Sequence, residues 1–215
     1  MGTRSLTAVK MDGKYRIAQY GQWDGYPRVQ GKIALEFLQT ADLGKFKKQL
    51  DKTIFIKEND LVEKKINKIF DQVSKASQDL KYPPEAGALT AAKRTLDEES
   101  LFLYYCSTRD TGAKVLEFVY NAPATIKEIP LFNKIEFAND SLFCEWAYVI
   151  DFDKNTFEVY KGFNKTPLTK KDRFHDITKN YARRNNEYFG IKLLKSYKLD
   201  KLPNLETFFK LEPKN

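Results

Sequence analysis

The chain has 215 residues, 42% of them hydrophobic and 31% charged, with a formal net charge of +8. That balance excludes a disordered or collagen-like chain, and a chain of this length buries enough surface to fold without staples. Its two cysteines, Cys106 and Cys144, form no disulfide framework and show no metal-ligand spacing, so no metal and no cofactor is expected and a reducing, cytoplasmic setting is. No apolar run approaches the ~20 residues of a membrane helix and no secretory h-region is visible, so no membrane partner is expected.

The chain opens on a hairpin. Residues 6–11 and 15–20 flank Asp12-Gly13, a pair that accepts φ > 0 at both turn positions. A Gly-punctuated loop follows, and then a helix in which Ile33/Phe37 and Ala34/Leu38 pair at i,i+4. A second, basic helix is expected over residues 43–50. Asp60 and Glu63 form a D-x-x-E capping pattern ahead of Leu61, Val62, Ile66, Ile69, Phe70 and Val73 at helical spacing, and Tyr82-Pro83-Pro84 stops that helix. Residues 84–94 show no decisive pattern and read as a loop. Residues 97–105 form another helix, and Thr108 or Asp110 caps one that runs to about residue 120. Residues 145–151 and 156–163 alternate around Asp153-Lys154-Asn155 and read as a second hairpin. Phe174, Ile177, Tyr181 and Tyr188 suggest a further helix, and residues 190–197 a last strand. Strands grouped apart from helices point to an α+β fold, with a mainly antiparallel sheet of two hairpins and a C-terminal strand, and helices packed on it. One domain over residues 1–215 is expected.

The loop QYGQWDGYP, residues 19–27, sets Tyr20, Trp23 and Tyr26 beside the polar Gln22 and Asp24. Flat apolar walls with a few fixed polar groups are what a small-molecule pocket requires, and the glycines let the backbone approach a partner. Arg4 and Arg16, on or beside the strands of the opening hairpin, are candidates to join it. The structural alternative is a plug at the end of the sheet, with Asp24 capping the turn at Gly25. The expected ligand-contacting set is Arg4, Arg16, Gln22, Trp23, Asp24 and Tyr26.

MGTRSL at residues 1–6, QYGQWDGYP, and EWAYVIDFDKNTFEVYKGF at residues 145–163 resemble a family of uncharacterised proteins scattered among phage, bacterial and fungal sequences. The resemblance covers both hairpins and is weaker through the central helices. It implies a shared fold and carries over no reaction and no catalytic residue. Its phage members imply, by analogy, a role in the contest between phage and host, inhibiting a host defence protein or sequestering its signal.

Charge is unevenly placed. Residues 161–201 hold twelve Lys or Arg against four acidic residues, an excess equal to the +8 of the whole chain. Such a local excess is a footprint for a polyanion or a phosphate-bearing ligand. On a helix near Phe174, the side chains of His175, Lys179 and Arg183 fall on one face, with Arg184 beside them, and are the candidate polyanion contacts; the structural alternative is a solvated basic face.

His175 is the only histidine, which excludes mechanisms that need a His pair. No G-x-S-x-G, Walker A or G-x-G-x-x-G motif occurs. Asp151 and Asp153, two apart at a hairpin end, read as turn caps. An N-terminal strand beside an Arg and an aromatic loop looks like the entry to N-terminal-nucleophile hydrolases, although Thr3 becomes the first residue only if both Met1 and Gly2 are lost. The leading expectation is a binding or regulatory protein for a small anionic, nucleotide-like ligand. The alternatives are a sequence-tolerant nucleic-acid binder through the basic segment and an amide hydrolase, so catalysis stays open.

Overall fold

The computed structural model describes residues 2–57, 60–78, 84–178 and 187–212. Asp12 and Gly13 both adopt positive φ, 54° and 72°, and this turn joins β1 (Ser5–Met11) to β2 (Lys14–Gly21). The second hairpin pairs β5 (Trp146–Asp151) with β6 (Thr156–Lys161), and β7 (Lys192–Lys198) adds to its outer edge. The five strands form one sheet in the order β2-β1-β5-β6-β7. All neighbours are antiparallel except β1 and β5, which run parallel from Ser5↔Trp146 to Lys10↔Asp151. Parallel neighbours require a long crossover, and the chain between the hairpins supplies it as helices.

Within that crossover a π-helical turn, Pro27–Gly31, leads into α1 (Lys32–Thr40). α2 (Leu43–Leu50) is capped by Asp42, whose carboxylate accepts the Lys45 amide at 3.0 Å. A short strand, β3 (Thr53–Phe55), pairs in parallel with β4 (Ile129–Leu131). Asp60 caps α3 (Leu61–Gln78), accepting from the amides of Val62 and Glu63. Residues 84–94, expected to be a loop, belong instead to a helix, α4 (Pro84–Thr95). Proline fits the first helical turn, and the small Ala91 and Ala92 are buried against Ile66, Ile69 and Val73 of α3. Tertiary packing, rather than an apolar stripe visible in sequence, makes this segment helical. α5 (Glu98–Ser107) starts at Asp97, which accepts from Ser100 at 2.7 Å, and a 3-10 turn at Gly112–Lys114 leads into α6 (Val115–Tyr120), so neither Thr108 nor Asp110 caps that helix as expected. α7 (His175–Thr178) and α8 (Leu205–Phe209) follow the second hairpin, and β3, β4 and α8 are additions to the expected order.

Alternation along the strands divides the buried side chains into two cores. Val9, Met11, Ile17, Trp146, Tyr148, Ile150, Phe157 and Val159 face α1, α2, α6 and α8. Leu6, Ala8, Ala18, Ala147, Val149 and Tyr160 face a 3-10 turn at Ile135–Asn139 and the segment carrying Phe174 and Ile177. A third cluster joins α3, α4 and α5. The architecture is thus the expected α+β arrangement, a mostly antiparallel sheet with helices packed against it. No helix among the described residues is long and apolar enough to cross a membrane.

Candidate functional site

The sheet has a turn end and an open end. At the turn end, the Asp153 carboxylate accepts the amides of Asp12 at 2.7 Å and Gly13 at 2.9 Å, so the tip of one hairpin clamps the tip of the other. Asp151 accepts the Lys154 amide at 2.9 Å, capping its own turn as the spacing predicts. It also pairs with Arg173, whose guanidinium donates to Glu158 through Nε at 2.7 Å and Nη2 at 2.9 Å. The side chains of Arg173, Asp151 and Glu158 are only 6%, 0% and 7% exposed. Tyr160 donates to Glu158 at 2.6 Å, and the Thr156 hydroxyl donates to its other oxygen at 3.1 Å. Burial by itself would raise both carboxyl pKa values, but the hydrogen bonds and charge of Arg173 hold them below the ordinary range. Arg173 is counted in the basic segment by sequence, yet its charge is neutralised inside the protein. Arg16 lies at this end too, 3.3 Å from Asp12 and 3.6 Å from Asp51. The structure therefore does not bring Arg16 to the aromatic loop.

At the open end the loop is bracketed by backbone. The Gly25 amide donates to the Thr3 carbonyl at 2.8 Å, and the buried Tyr148 hydroxyl donates to the Gly25 carbonyl at 2.7 Å. A Cβ on Gly25 would stand 2.8 Å from the Arg4 carbonyl carbon, so only glycine lets the loop lie against β1. The Gln30 amide group donates to the Trp23 carbonyl at 3.2 Å and accepts from Ala113 at 2.7 Å. Trp23 donates its indole N–H to Asp110 at 3.0 Å, and its ring would come within 2.3 Å of a Cβ on Gly2. These contacts fasten Trp23 and Gly25 to the scaffold. Asp24 adopts φ 52°, and Tyr26 is 44% exposed.

The other expected members converge on the opposite face of the hairpin. Arg4 and Gln22 flank the last pair of the hairpin, Ser5↔Gly21, and Tyr20 pairs with Leu6 next to it. Tyr20 donates to Gln22 Oε1 at 2.5 Å and packs edge-on against Phe137 with centroids 4.8 Å apart. The Gln22 amide donates to the Arg109 carbonyl at 3.0 Å, bringing a second arginine to the site. Burial raises the Tyr20 pKa, while the positive charges of Arg4 and Arg109 pull it the other way. The Arg4 guanidinium stands 4.5 Å over the Phe143 ring, and its Nε is buried without a hydrogen-bond partner. Among the described residues neither Arg4 nor Arg109 makes an ion pair. The nearby Glu145 carboxylate accepts the Arg4 amide at 3.4 Å. Arg109, Phe143 and Glu145 were not legible as partners of the loop, because only the fold brings them beside it.

Of the candidate polyanion contacts, Lys179, Arg183 and Arg184 lie outside the described residues. His175 opens α7 with Nδ1 3.0 Å from Asp176 Oδ1. Lys192, Lys195 and Lys198 are exposed along β7. Thr3 is buried, 5% exposed. Both thiols are buried, and burial pushes their pKa values up, which disfavours the reactive thiolate. Among the described residues no group of three His, Cys, Asp or Glu side chains is placed to hold a metal ion. Two grooves, of about 390 Å³ between α1 and α6 and about 320 Å³ beside α3 and α5, lie away from Arg4 and Arg109.

No protein-family model matches the chain, and no curated protein or solved structure matches it at a significant level.

Proposed function

We propose that the protein binds a phosphate-bearing ligand at the open end of the sheet, between Arg4 and Arg109, with Tyr20 and Gln22 as orienting groups. The observation that carries this reading is the Arg4 guanidinium, whose buried Nε has no acceptor and which makes no ion pair among the described residues. A buried unpaired donor costs stability and calls for an explanation, and a planar fork of N–H donors matches a phosphate. Trp23, Asp24 and Tyr26 then hold the loop in place rather than touch the ligand. Such a protein acts by binding; a nucleotide-like signal of a host defence is the ligand class that the resemblance to phage sequences favours.

The test is isothermal titration of the whole protein with inorganic pyrophosphate and with a nucleoside triphosphate. Arg4→Gln and Arg109→Gln should each weaken binding by roughly 10- to 100-fold, the worth of one charge-assisted hydrogen bond. Unchanged affinity in both variants would remove the site. A second reading, a nucleic-acid binder working through the basic segment, is favoured by the exposed lysines of β7. It predicts that Lys192→Gln, Lys195→Gln and Lys198→Gln together lower both affinity and salt dependence, although lysines on an edge strand also guard against sheet extension.

A further inference from the structure

Phe163 stands where the chain leaves β6, and its φ is +55°. Residues with a bulky side chain rarely adopt this left-handed conformation. The ring it positions is not packed away, since Phe163 is 49% exposed. The strained backbone is held firmly. The Phe163 amide donates to the Ser141 carbonyl at 2.7 Å, the Asn164 amide to the Ser141 hydroxyl at 3.0 Å, and the Gly162 amide to the Glu145 carbonyl at 2.8 Å. The Phe189 amide donates to the Asn164 carbonyl at 2.9 Å, and the Ser141 amide to the Phe189 carbonyl at 3.2 Å. Three segments are thus knitted together, each presents an aromatic ring, and two of the rings, Phe143 and Tyr188, stand beside a cation. Phe143 is 40% exposed beneath Arg4. Tyr188 packs edge-on to Phe163, with centroids 6.3 Å apart, and Lys165 Nζ stands 5.2 Å from its ring centre.

Backbone strain spent on presenting a ring to solvent points to function. We infer that Phe163, Tyr188 and Phe143 form a stacking platform for the bases of a single-stranded nucleic acid, with its phosphates met by Lys165 and by the Arg4–Arg109 site. The second half of this assignment rests on the phosphate reading above. Open rings flanked by cations suit a strand, because every base has a stacking face and several weak stacks add along one backbone. A duplex hides those faces. Three acids lie near the platform, Glu145 beside the Arg4 amide, Asp140 beside the Phe143 amide and the exposed Glu187 next to Tyr188, so a bound strand must run on the side of Lys165 and Arg4.

The experiment is fluorescence anisotropy of a labelled 15-nucleotide oligo(dT) with the whole protein at low salt, with the matching duplex and inorganic tripolyphosphate as competitors. Phe163→Ala should weaken oligo(dT) binding roughly 10-fold, the scale of one base–aromatic stack, and Phe163→Tyr should restore it. Phe163→Gly should lose binding yet raise the Tm by about 2 °C, because glycine relieves the positive φ; loss of binding with gain of stability separates a functional ring from a structural one. Lys165→Gln should lower the salt slope by about 0.7, one phosphate contact on a single strand. Equal oligo(dT) affinity for wild type and Phe163→Ala, or no oligo(dT) binding at low salt, would overturn the platform. If tripolyphosphate still bound in an Arg4-dependent way, the phosphate site would stand without it. Oligo(dT) binding that depended on Phe163 but not on Arg4 and Arg109 would leave the platform and remove the phosphate site. Preference for the duplex would overturn the single-strand assignment.

Discussion

The two ends of the sheet treat the same residue type in opposite ways. At the turn end Arg173 is enclosed by Asp151 and Glu158, and Arg16 lies within reach of Asp12 and Asp51. At the open end Arg4 stands over Phe143, Arg4 and Arg109 lie near Tyr20 and Gln22, and neither makes an ion pair among the described residues. The first arrangement is closed in charge: its guanidinium groups meet carboxylates, although Arg16 Nε, like Arg4 Nε, is buried without a hydrogen-bond partner. The second leaves guanidinium donors for something else. An arginine's role here follows from which strand end it occupies and what the rest of the chain brings there.

Breaking the closed end should have the largest effect. Arg173→Met leaves two buried carboxylates without their counter-ion and should cost about 3–5 kcal/mol in chemical denaturation. A cost below about 1 kcal/mol would mean that the network is not a determinant of stability. The same network sets an acid limit. Both carboxyls have folded-state pKa values below their ordinary ones: burial raises them most, but the hydrogen bonds and charge of Arg173, with the hydrogen bonds of Lys154 to Asp151 and of Tyr160 and Thr156 to Glu158, together outweigh it. Their stabilisation is therefore complete above the unfolded carboxylate pKa of about 4 and is lost as pH falls through the lowered folded values. Thermal melts from about pH 7 to about pH 2 should show this loss, and Asp151→Asn with Glu158→Gln should flatten that limb; an unchanged limb would place the acid sensitivity elsewhere.

Gly31, beneath the loop, tests the scaffold between the two ends. A Cβ there would stand 2.7 Å from the Tyr148 ring and 2.9 Å from the Phe208 ring. Gly31→Ala should cost about 1–3 kcal/mol by overpacking, read as a lower midpoint in urea with an unchanged slope. Asp153→Ala removes the acceptor shared by the Asp12 and Gly13 amides and should cost about 1 kcal/mol, since water reaches the exposed turn. Arg4→Gln should be the mildest, about 0.5 kcal/mol from the lost contact with Phe143. A large loss there would make Arg4 a structural residue like Arg173 and erase the contrast.

Much of the frame was legible locally. Asp12-Gly13 fixed the first turn, Asp60 marked a helix start, and alternation in residues 145–163 gave the second hairpin, because turns, caps and strand faces depend on residues a few positions apart. The helix at Pro84–Thr95 was not legible: it has no apolar stripe of its own, and Ala91 and Ala92 gain their burial from α3. The parallel pairing of β1 with β5, and of β3 with β4, joins segments far apart in the chain. The loop at residues 19–27 was singled out for its composition, but its inner contacts divide it. Trp23 and Gly25 are fastened to the scaffold, whereas Tyr20 and Gln22 turn to the other face beside Arg4.

The amino-acid sequence by itself determined the two hairpins, the starts of α2, α3 and α5, the absence of a disulfide framework and the uneven charge, because each follows from nearest neighbours or from counting. Only the tertiary structure decided which arginines meet a carboxylate and which do not. Ion pairing, desolvation and a strained backbone at Phe163 depend on groups that meet only when the sheet closes around them.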